Sequence, residues 1–204
     1  MRIDILPVGE LEVNCYILSS EKTKNAVLVD PGDDYPKIKA FLEKQKLMPR
    51  FILHTHGHFD HIGADNEFGL PVYAHRLDAE LLRSPKKNLS DFFSSSFQVK
   101  AEIHILEDKE TVSLDELSLE VIHTPGHTPG GICLKSGNVI FTGDTLFAGG
   151  IGRTDFPGAS EERLIQSIEE RLMGFPDETM IYPGHGPSST IGRERKRNPF
   201  LTHR

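Results

Sequence analysis

A cluster of histidine and aspartate side chains is the part of this 204-residue sequence best suited to chemistry. The segment His56–His61 reads His-Gly-His-Phe-Asp-His, which places three imidazoles and a carboxylate within six residues. His56 and His58 are two residues apart, so in extended backbone both imidazoles face the same side. Asp60 and His61 are adjacent and point in different directions, which suits a second cation beside the first. The spacing predicts a metal site.

Three more candidate ligands stand just beyond other apolar runs of the chain, namely His127, Asp144 and His185. A carboxylate such as that of Asp144 can bridge two cations through its two oxygens. Nitrogen and oxygen ligands of this kind suit zinc, iron or manganese rather than copper(I). Two divalent cations about 3.5–4 Å apart can hold a water and lower its pKa to about 7. We therefore expect two divalent metal ions, zinc first, with iron or manganese as alternatives.

Several neighbouring residues have two interpretations. His54 is expected behind the ligands or in the core, and His123 either makes a supporting hydrogen bond or has a structural role. Asp30 either orients a ligand from behind or caps the turn that follows it. Arg153 is a candidate for binding an anionic part of the substrate. The basic run 193–197 is a second candidate, although a solvated surface is the default interpretation.

Short β-type runs must position these side chains, because each candidate ligand follows one. The runs are Ile3–Val8, Cys15–Leu18, Ala26–Val29, Phe51–Leu53, Val72–Ala74, Leu117–Ile122, Gly131–Leu134, Val139–Phe141 and Met180–Tyr182. One helix is predicted after Asp33 or Asp34 as cap, and another after Ser160. Strands that end in His or Asp indicate one shared rim. The order of elements favours mixed sheets with helices outside, an α/β sandwich.

Composition limits the classes of function. The length fits a single domain over residues 1–204. The net charge of −7 disfavours a general affinity for nucleic acid or anionic membranes. The absence of a long apolar stretch and of a signal-peptide pattern predicts a cytoplasmic protein. Cys15 and Cys133 lie in apolar runs and are expected to be buried, reduced thiols.

The serine-rich segment Ser84–Gln98 differs in character from the rest of the chain. It carries Phe92, Phe93 and Phe97 without a regular period. We expect an ordinary packed surface loop, with a mobile lid over the site as the alternative.

Four motifs together resemble the metallo-β-lactamase superfamily, and within it the glyoxalase II-like hydrolases of the short bacterial type. They are Thr55-His-Gly-His-Phe-Asp-His61, His123-Thr-Pro-Gly-His127, Thr142-Gly-Asp144 and Pro183-Gly-His185. The resemblance implies a four-layer αββα sandwich of two mixed β-sheets, with the site at one edge. It also implies that one metal is held by His56, His58 and His127, the other by Asp60, His61 and His185, and that Asp144 bridges them.

The chain departs from that family in two places. Glyoxalase II enzymes have a further C-terminal helical region that helps to hold glutathione, whereas this chain ends soon after His185. They also carry a lysine-bearing segment after the bridging aspartate, where this chain has Gly150–Pro157 with Arg153. Metallo-β-lactamases tend to have a cysteine at the position of Asp144, so β-lactam hydrolysis is not expected.

The resemblance implies a metal-dependent hydrolase of an anionic thioester such as S-lactoylglutathione. A metal-bridging hydroxide would attack the carbonyl, and Asp60 would orient it as the catalytic carboxylate. A persulfide dioxygenase-like oxidoreductase is the first alternative, with one iron held by His56, His127 and Asp144. A nuclease of the same superfamily is a weaker alternative because of the negative charge. The expected partner is a small molecule, and neither nucleic acid nor membrane is expected.

Overall fold

Two six-stranded mixed sheets form the centre of the computed structural model, which describes residues 1–93 and 96–202. The first sheet has the order β1-β2-β3-β4-β5-β6. Its strands are β1 Arg2–Val8, β2 Val13–Ser19, β3 Asn25–Val29, β4 Met48–Leu53, β5 Val72–His75 and β6 Ile103–Leu106. The pairs from β3 to β6 are parallel, whereas the pairs β1–β2 and β2–β3 are antiparallel.

The second sheet has the order β14-β13-β10-β9-β8-β7. Its strands are β7 Thr111–Leu114, β8 Leu117–His123, β9 Ile132–Ser136, β10 Val139–Gly143, β13 Met180–Pro183 and β14 Ser189–Thr190. Only β10 and β13 are parallel, and the other pairs are antiparallel. A small two-stranded ribbon, β11 Leu146–Phe147 and β12 Gly150–Ile151, follows β10.

The helices are short and lie on the outer faces of the sheets. They are α1 Tyr35–Gln45, α2 Phe59–Ile62, α3 Asp65–Phe68, α4 Ala79–Arg83, α5 Glu161–Ser167, α6 Ile191–Arg197 and α7 Pro199–Thr202. A 3₁₀ turn covers Ser90–Phe92, and a π-helical turn at Ile168–Leu172 extends α5. In the described part of the chain, no helix has both the length and the apolar composition that a membrane crossing needs.

Burial divides the apolar side chains into three layers. In β2, Cys15 and Ile17 pack on the side of α1, whereas Tyr16 and Leu18 face the second sheet. This alternation is the two-residue period of a strand buried on both faces. A third cluster lies between the second sheet and α5, and includes Ile168. The layers are therefore helix, sheet, sheet and helix, which confirms the predicted αββα sandwich.

The strand directions bring five strand ends to one edge. β8 and β10 both run antiparallel to β9, so they run parallel to each other, and β13 is parallel to β10. In the first sheet β3 and β4 are parallel. The residues that follow these five strands include every predicted ligand. The shared rim expected from the sequence is present.

The structure corrects one expected helix cap, confirms another and adds one helix. Asp34 occupies the N-cap position of α1, but its carboxylate accepts a hydrogen bond from Gly9 N at 3.0 Å rather than from a helix N–H group. Ser160 caps α5 as predicted, accepting from Arg163 N. The basic run 193–197 belongs to α6, a helix that the sequence did not predict.

Candidate metal centre

Three imidazoles converge on one point at the shared rim. His58 Nδ1 lies 2.9 Å from His127 Nε2, which lies 3.2 Å from His56 Nε2. His56 and His58 follow β4, and His127 follows β8 on the facing sheet. Three nitrogens bound to one tetrahedral zinc at 2.0–2.1 Å would lie roughly 3.3 Å apart. The three nitrogens therefore have the spacing that one metal ion requires.

A second group lies beside the first. His185 Nε2 is 3.3 Å from Asp60 Oδ2, and His61 Nε2 is 3.7 Å from the same oxygen. Ligand-type atoms of these three side chains all lie within 4.8 Å of one another, and so do those of His56, His61 and Asp144. The seven residues predicted as ligands are thus brought together in overlapping groups.

Asp144 lies between the two groups. Its Oδ1 is 3.5 Å from His61 Nε2, whereas its Oδ2 is 3.7 Å from both His127 Nε2 and His185 Nε2. Among the described residues, neither His61 Nε2 nor Asp144 Oδ1 has a hydrogen-bond partner, although both atoms are buried. Unpartnered buried polar atoms are costly, so their convergence fits a site for cations.

The protonation of the histidines agrees with this fit. Burial disfavours a charge on His61, but the carboxylates of Asp60, Asp144 and Asp30 outweigh it and raise the pKa of His61 to about 10. The site therefore stabilises positive charge. Burial, followed by the neighbouring His127, lowers the pKa of His58 to about 3. A neutral imidazole is the form that binds a metal.

Hydrogen bonds from behind fix the orientation of three imidazoles. His127 Nδ1 donates to Arg153 O at 2.7 Å, and His185 Nδ1 donates to Leu11 O at 2.9 Å. His61 Nδ1 donates to the Asp30 carboxylate at 3.0 Å. In each ring Nδ1 therefore carries a proton and Nε2 is the atom that faces the centre; on His61 a bound cation would take the place of the second proton.

Asp30 has the first of the two roles that the sequence left open, because its carboxylate orients His61 from behind. It follows β3, adopts a positive φ of 50°, and begins the turn at Pro31. Its carboxylate also accepts from Thr55 N at 2.9 Å and from Thr55 Oγ1 at 2.6 Å. His54 is fully buried behind it and hydrogen-bonds Asp65 at 2.7 Å. His54 therefore lies behind the ligands, as one of its two interpretations predicted.

Asp78 is a supporting residue that the sequence analysis missed. Its buried carboxylate accepts from Gly57 N at 2.9 Å, Thr128 Oγ1 at 2.7 Å and Gly130 N at 2.6 Å. One carboxylate thus joins the backbone between His56 and His58 to the loop that follows His127. No local motif marks this residue, because its partners come from distant parts of the chain.

Two glycines provide the space that the centre requires. A Cβ on Gly184 would lie 2.3 Å from Asp144 Oδ1 and 2.7 Å from His61 Cε1, so any side chain there would displace a ligand. Gly57 does not have a positive φ. Gly57 packs closely against α4, and a Cβ on Gly57 would lie 2.7 Å from Leu81 Cβ. Close helix packing, rather than a tight turn, requires glycine at this position.

Arg153 contributes to the centre mainly through its backbone oxygen. Its guanidinium is exposed, pairs with Asp155 at 2.7 Å and lies 4.4 Å from the centre of the Phe156 ring. That ring in turn contacts His58, with 5.3 Å between ring centres. Arg153 therefore lies at the rim of the site with its charge already paired. The basic run 193–197 is also partly paired, since Lys196 contacts Asp177 at 2.7 Å.

The comparison with protein families agrees with this geometry. Residues 8–185 match the Metallo-beta-lactamase superfamily. The chain belongs to this superfamily. The matched range includes all seven candidate ligands, and the two mixed sheets with outer helices are the architecture of its structurally similar members.

Three relatives are similar over almost their whole length. Hydroxyacylglutathione hydrolase GloC of Haemophilus influenzae is 37% identical, covering 98% of both chains. A crystal structure of BLEG-1 B3 metallo-beta-lactamase has a TM-score of 0.92 at 37% identity, over 98% of this chain and 100% of that one. TTHA1623 in a di-iron-bound form has a TM-score of 0.85 at 36% identity, over 97% and 100%.

Proposed function

We propose that this superfamily member is a hydrolase of thioesters that binds two divalent cations. His56, His58 and His127 would hold one cation, Asp60, His61 and His185 the other, and Asp144 would bridge them. The position of Asp144 carries the proposal, because its two oxygens face histidines of both groups at 3.5 and 3.7 Å. An ordinary structural zinc site would be closed and four-coordinate, with no need for a second ligand group.

The two cations, when bound, would supply Lewis acidity toward a carbonyl oxygen and lower the pKa of a water. The protein residues would position the reactants. Asp60 is partly exposed, with a side chain 15% accessible, and its carboxylate can accept a hydrogen bond from the attacking water. In hydrolysis the water oxygen forms a bond to the acyl carbon, the C–S bond breaks, and the thiolate takes up a proton.

Similarity to GloC supports a hydroxyacylglutathione such as S-lactoylglutathione as one substrate. Zinc remains our first expectation for the metal, and the di-iron form of TTHA1623 supports iron as the alternative. A cytoplasmic location is part of the same proposal. It is supported by the two cysteines, which are buried and free.

β-Lactam hydrolysis is the second candidate, because BLEG-1 is 37% identical over 98% of this chain. Because residue 144 is an aspartate and not a cysteine, we predict no β-lactam hydrolysis, and the same preparation tests this. The mononuclear dioxygenase alternative needs only His56, His127 and Asp144. It leaves His58, Asp60, His61 and His185 without a function.

The test is steady-state kinetics on protein loaded with zinc, iron or manganese, with chelated protein as control. We expect hydrolysis of S-lactoylglutathione above the control, with metal-loaded protein active and chelated protein inactive. A β-lactam and glutathione persulfide with an oxygen electrode are run in parallel. Oxygen consumption with the persulfide and no thioester hydrolysis would overturn the proposal.

A further inference from the structure

A cleft of about 790 Å³ opens beside the candidate metal centre. Asp60 lies in its lining and also belongs to one of the ligand groups, so the cleft is continuous with the centre. One wall is the turn between β1 and β2, where Leu11 O accepts the hydrogen bond from His185 Nδ1. The opposite wall carries Phe92 and Phe93.

Both walls expose large apolar side chains. Leu11 is 49% exposed, Phe92 72% and Phe93 49%. The ring of Phe93 stacks on Phe59, with ring centres 4.4 Å apart, and Phe59 is the residue before Asp60. Apolar side chains of this size around a concave surface are characteristic of ligand sites, because covering them removes apolar area from water.

The aromatic wall is held in place by buried polar groups. Asn88 is fully buried, and its carbonyl oxygen accepts from Phe59 N at 2.9 Å while its side chain donates to Phe97 O at 3.0 Å. Ser90 Oγ accepts from Phe97 N at 3.1 Å. For the segment 84–98, these hydrogen bonds favour the expected packed surface loop over the alternative of a mobile lid. Residues 94 and 95 of this segment lie outside the described range.

The charge of the cleft is negative. Glu10, Asp33, Glu67 and Asp60 line it, and no Lys, Arg or His occurs among the described lining residues. Arg153 lies elsewhere, over the ring of Phe156. An anionic group in the cleft would be repelled by these carboxylates, whereas an uncharged apolar group would gain contact with the phenylalanine rings.

We infer that this cleft binds an apolar arm of the thioester that bears no negative charge, so the preferred substrate is a neutral aromatic or alkyl thioester rather than a glutathione thioester. The inference rests on the proposed hydrolase function and specifies its substrate class. Glutathione carries two carboxylates against one ammonium group, and no basic side chain lines the described part of the cleft to pair with its net negative charge. S-Lactoylglutathione would then be a slow substrate with a weak KM.

Three thioesters of similar size test the inference. S-Phenylacetyl-N-acetylcysteamine is neutral, S-phenylacetyl-3-mercaptopropionate is anionic in the thiol arm, and S-(4-carboxyphenylacetyl)-N-acetylcysteamine is anionic in the acyl arm. We expect kcat/KM for at least one anionic thioester to be about tenfold below that for the neutral one at low ionic strength. The arm that is penalised identifies the part of the substrate that occupies the cleft.

A paired change of cleft charge shows where the discrimination arises. Glu10 and Glu67 are exposed and make no hydrogen bond or ion pair within the described part of the chain. In the double variant Glu10→Gln/Glu67→Gln, the ratio of kcat/KM between the neutral and the anionic thioester should shrink about threefold or more. The matched control is Glu43→Gln/Glu178→Gln, which removes the same number of charges at positions outside the cleft lining. It should leave this ratio of kcat/KM unchanged.

The aromatic wall has its own variant. Phe92→Ala should raise KM for the neutral aromatic thioester about tenfold, with metal content unchanged. Phe200→Ala removes another exposed phenylalanine, in α7, and is the control. The inference would be overturned by equal kcat/KM for the neutral and anionic thioesters, or by a kcat/KM ratio that the Glu10→Gln/Glu67→Gln variant does not change. Either result would leave the proposed hydrolase function intact. Hydrolysis of no thioester by metal-loaded protein would instead overturn the proposed function.

Discussion

Asp144 is the residue on which the two-cation proposal depends. Its two oxygens face different histidines, and one of them has no hydrogen-bond partner among the described residues. We expect Asp144→Ala to lose metal and hydrolysis together, while circular dichroism shows a fold maintained by the three apolar layers. A variant with wild-type metal content would show that Asp144 does not bridge.

Asp78 tests the supporting hydrogen bonds separately from the ligands. Asp78→Asn keeps the shape but removes acceptor capacity from a carboxylate that receives three hydrogen bonds. Because such support orients the ligands, metal affinity should fall by about 10–100-fold. Metal titration against a competing chelator measures this, with the exposed Asp91→Asn as control. Unchanged affinity would contradict the role given to Asp78.

Arg153 is predicted to act on substrate binding alone. Its backbone oxygen, which accepts from His127, is retained in Arg153→Ala, so metal content should not change. The guanidinium near Phe156 is lost, and KM for an anionic thioester should rise about two- to fivefold with kcat little altered. A fall in kcat with loss of metal would show that the side chain supports the centre instead.

At the scale of elements, the strand ends could be predicted, but their supports could not. Each ligand follows a short apolar run, and this pattern is local. The contacts of Asp78 join residues 57, 128 and 130, which no spacing along the chain connects. The side chain of Asp34 does not cap α1 for a similar reason, because it accepts a hydrogen bond from Gly9 in a different part of the fold. Helix α6 was missed because its apolar face is short beside its basic residues.

The ends of β5 and β8 carry a pair of stacked histidines outside the centre. The rings of His75 and His123 lie 4.1 Å apart at 13°. Burial, followed by the charge of His123, lowers the pKa of His75 to about 4, and Glu107, Arg76 and Asp108 act more weakly.

The unfolded chain therefore binds a proton at His75 at higher pH than the folded chain does. Stability should be lost as the pH falls from about 6.5 toward 4, by up to about 1.4 kcal/mol per pH unit. Urea unfolding of His75→Gln between these pH values should show a smaller loss than wild type. His104→Gln, which changes a half-buried histidine on β6, is the control. An identical acid slope in His75→Gln would contradict the assignment.

At the scale of the whole molecule, the two sheets supply different ligands to one centre. His56, His58, Asp60 and His61 follow the first sheet's β4, whereas the other three ligands follow β8, β10 and β13. Cations bound there would tie the sheets together and favour the folded state by mass action. We expect chelation to lower the melting temperature within a single unfolding transition, consistent with one domain over residues 1–204. A chelated protein with an unchanged melting temperature would contradict this coupling.

The number of metal ions per chain distinguishes the dinuclear hydrolase from the mononuclear oxygenase. Elemental analysis of freshly purified protein should give about two divalent ions per chain, as two separate ligand groups require. His185→Ala should lower the number to about one, and the control His104→Ala should leave it at two. A single iron per chain in the wild type, unchanged in His61→Ala and His185→Ala, would contradict the dinuclear hydrolase and favour the mononuclear oxygenase.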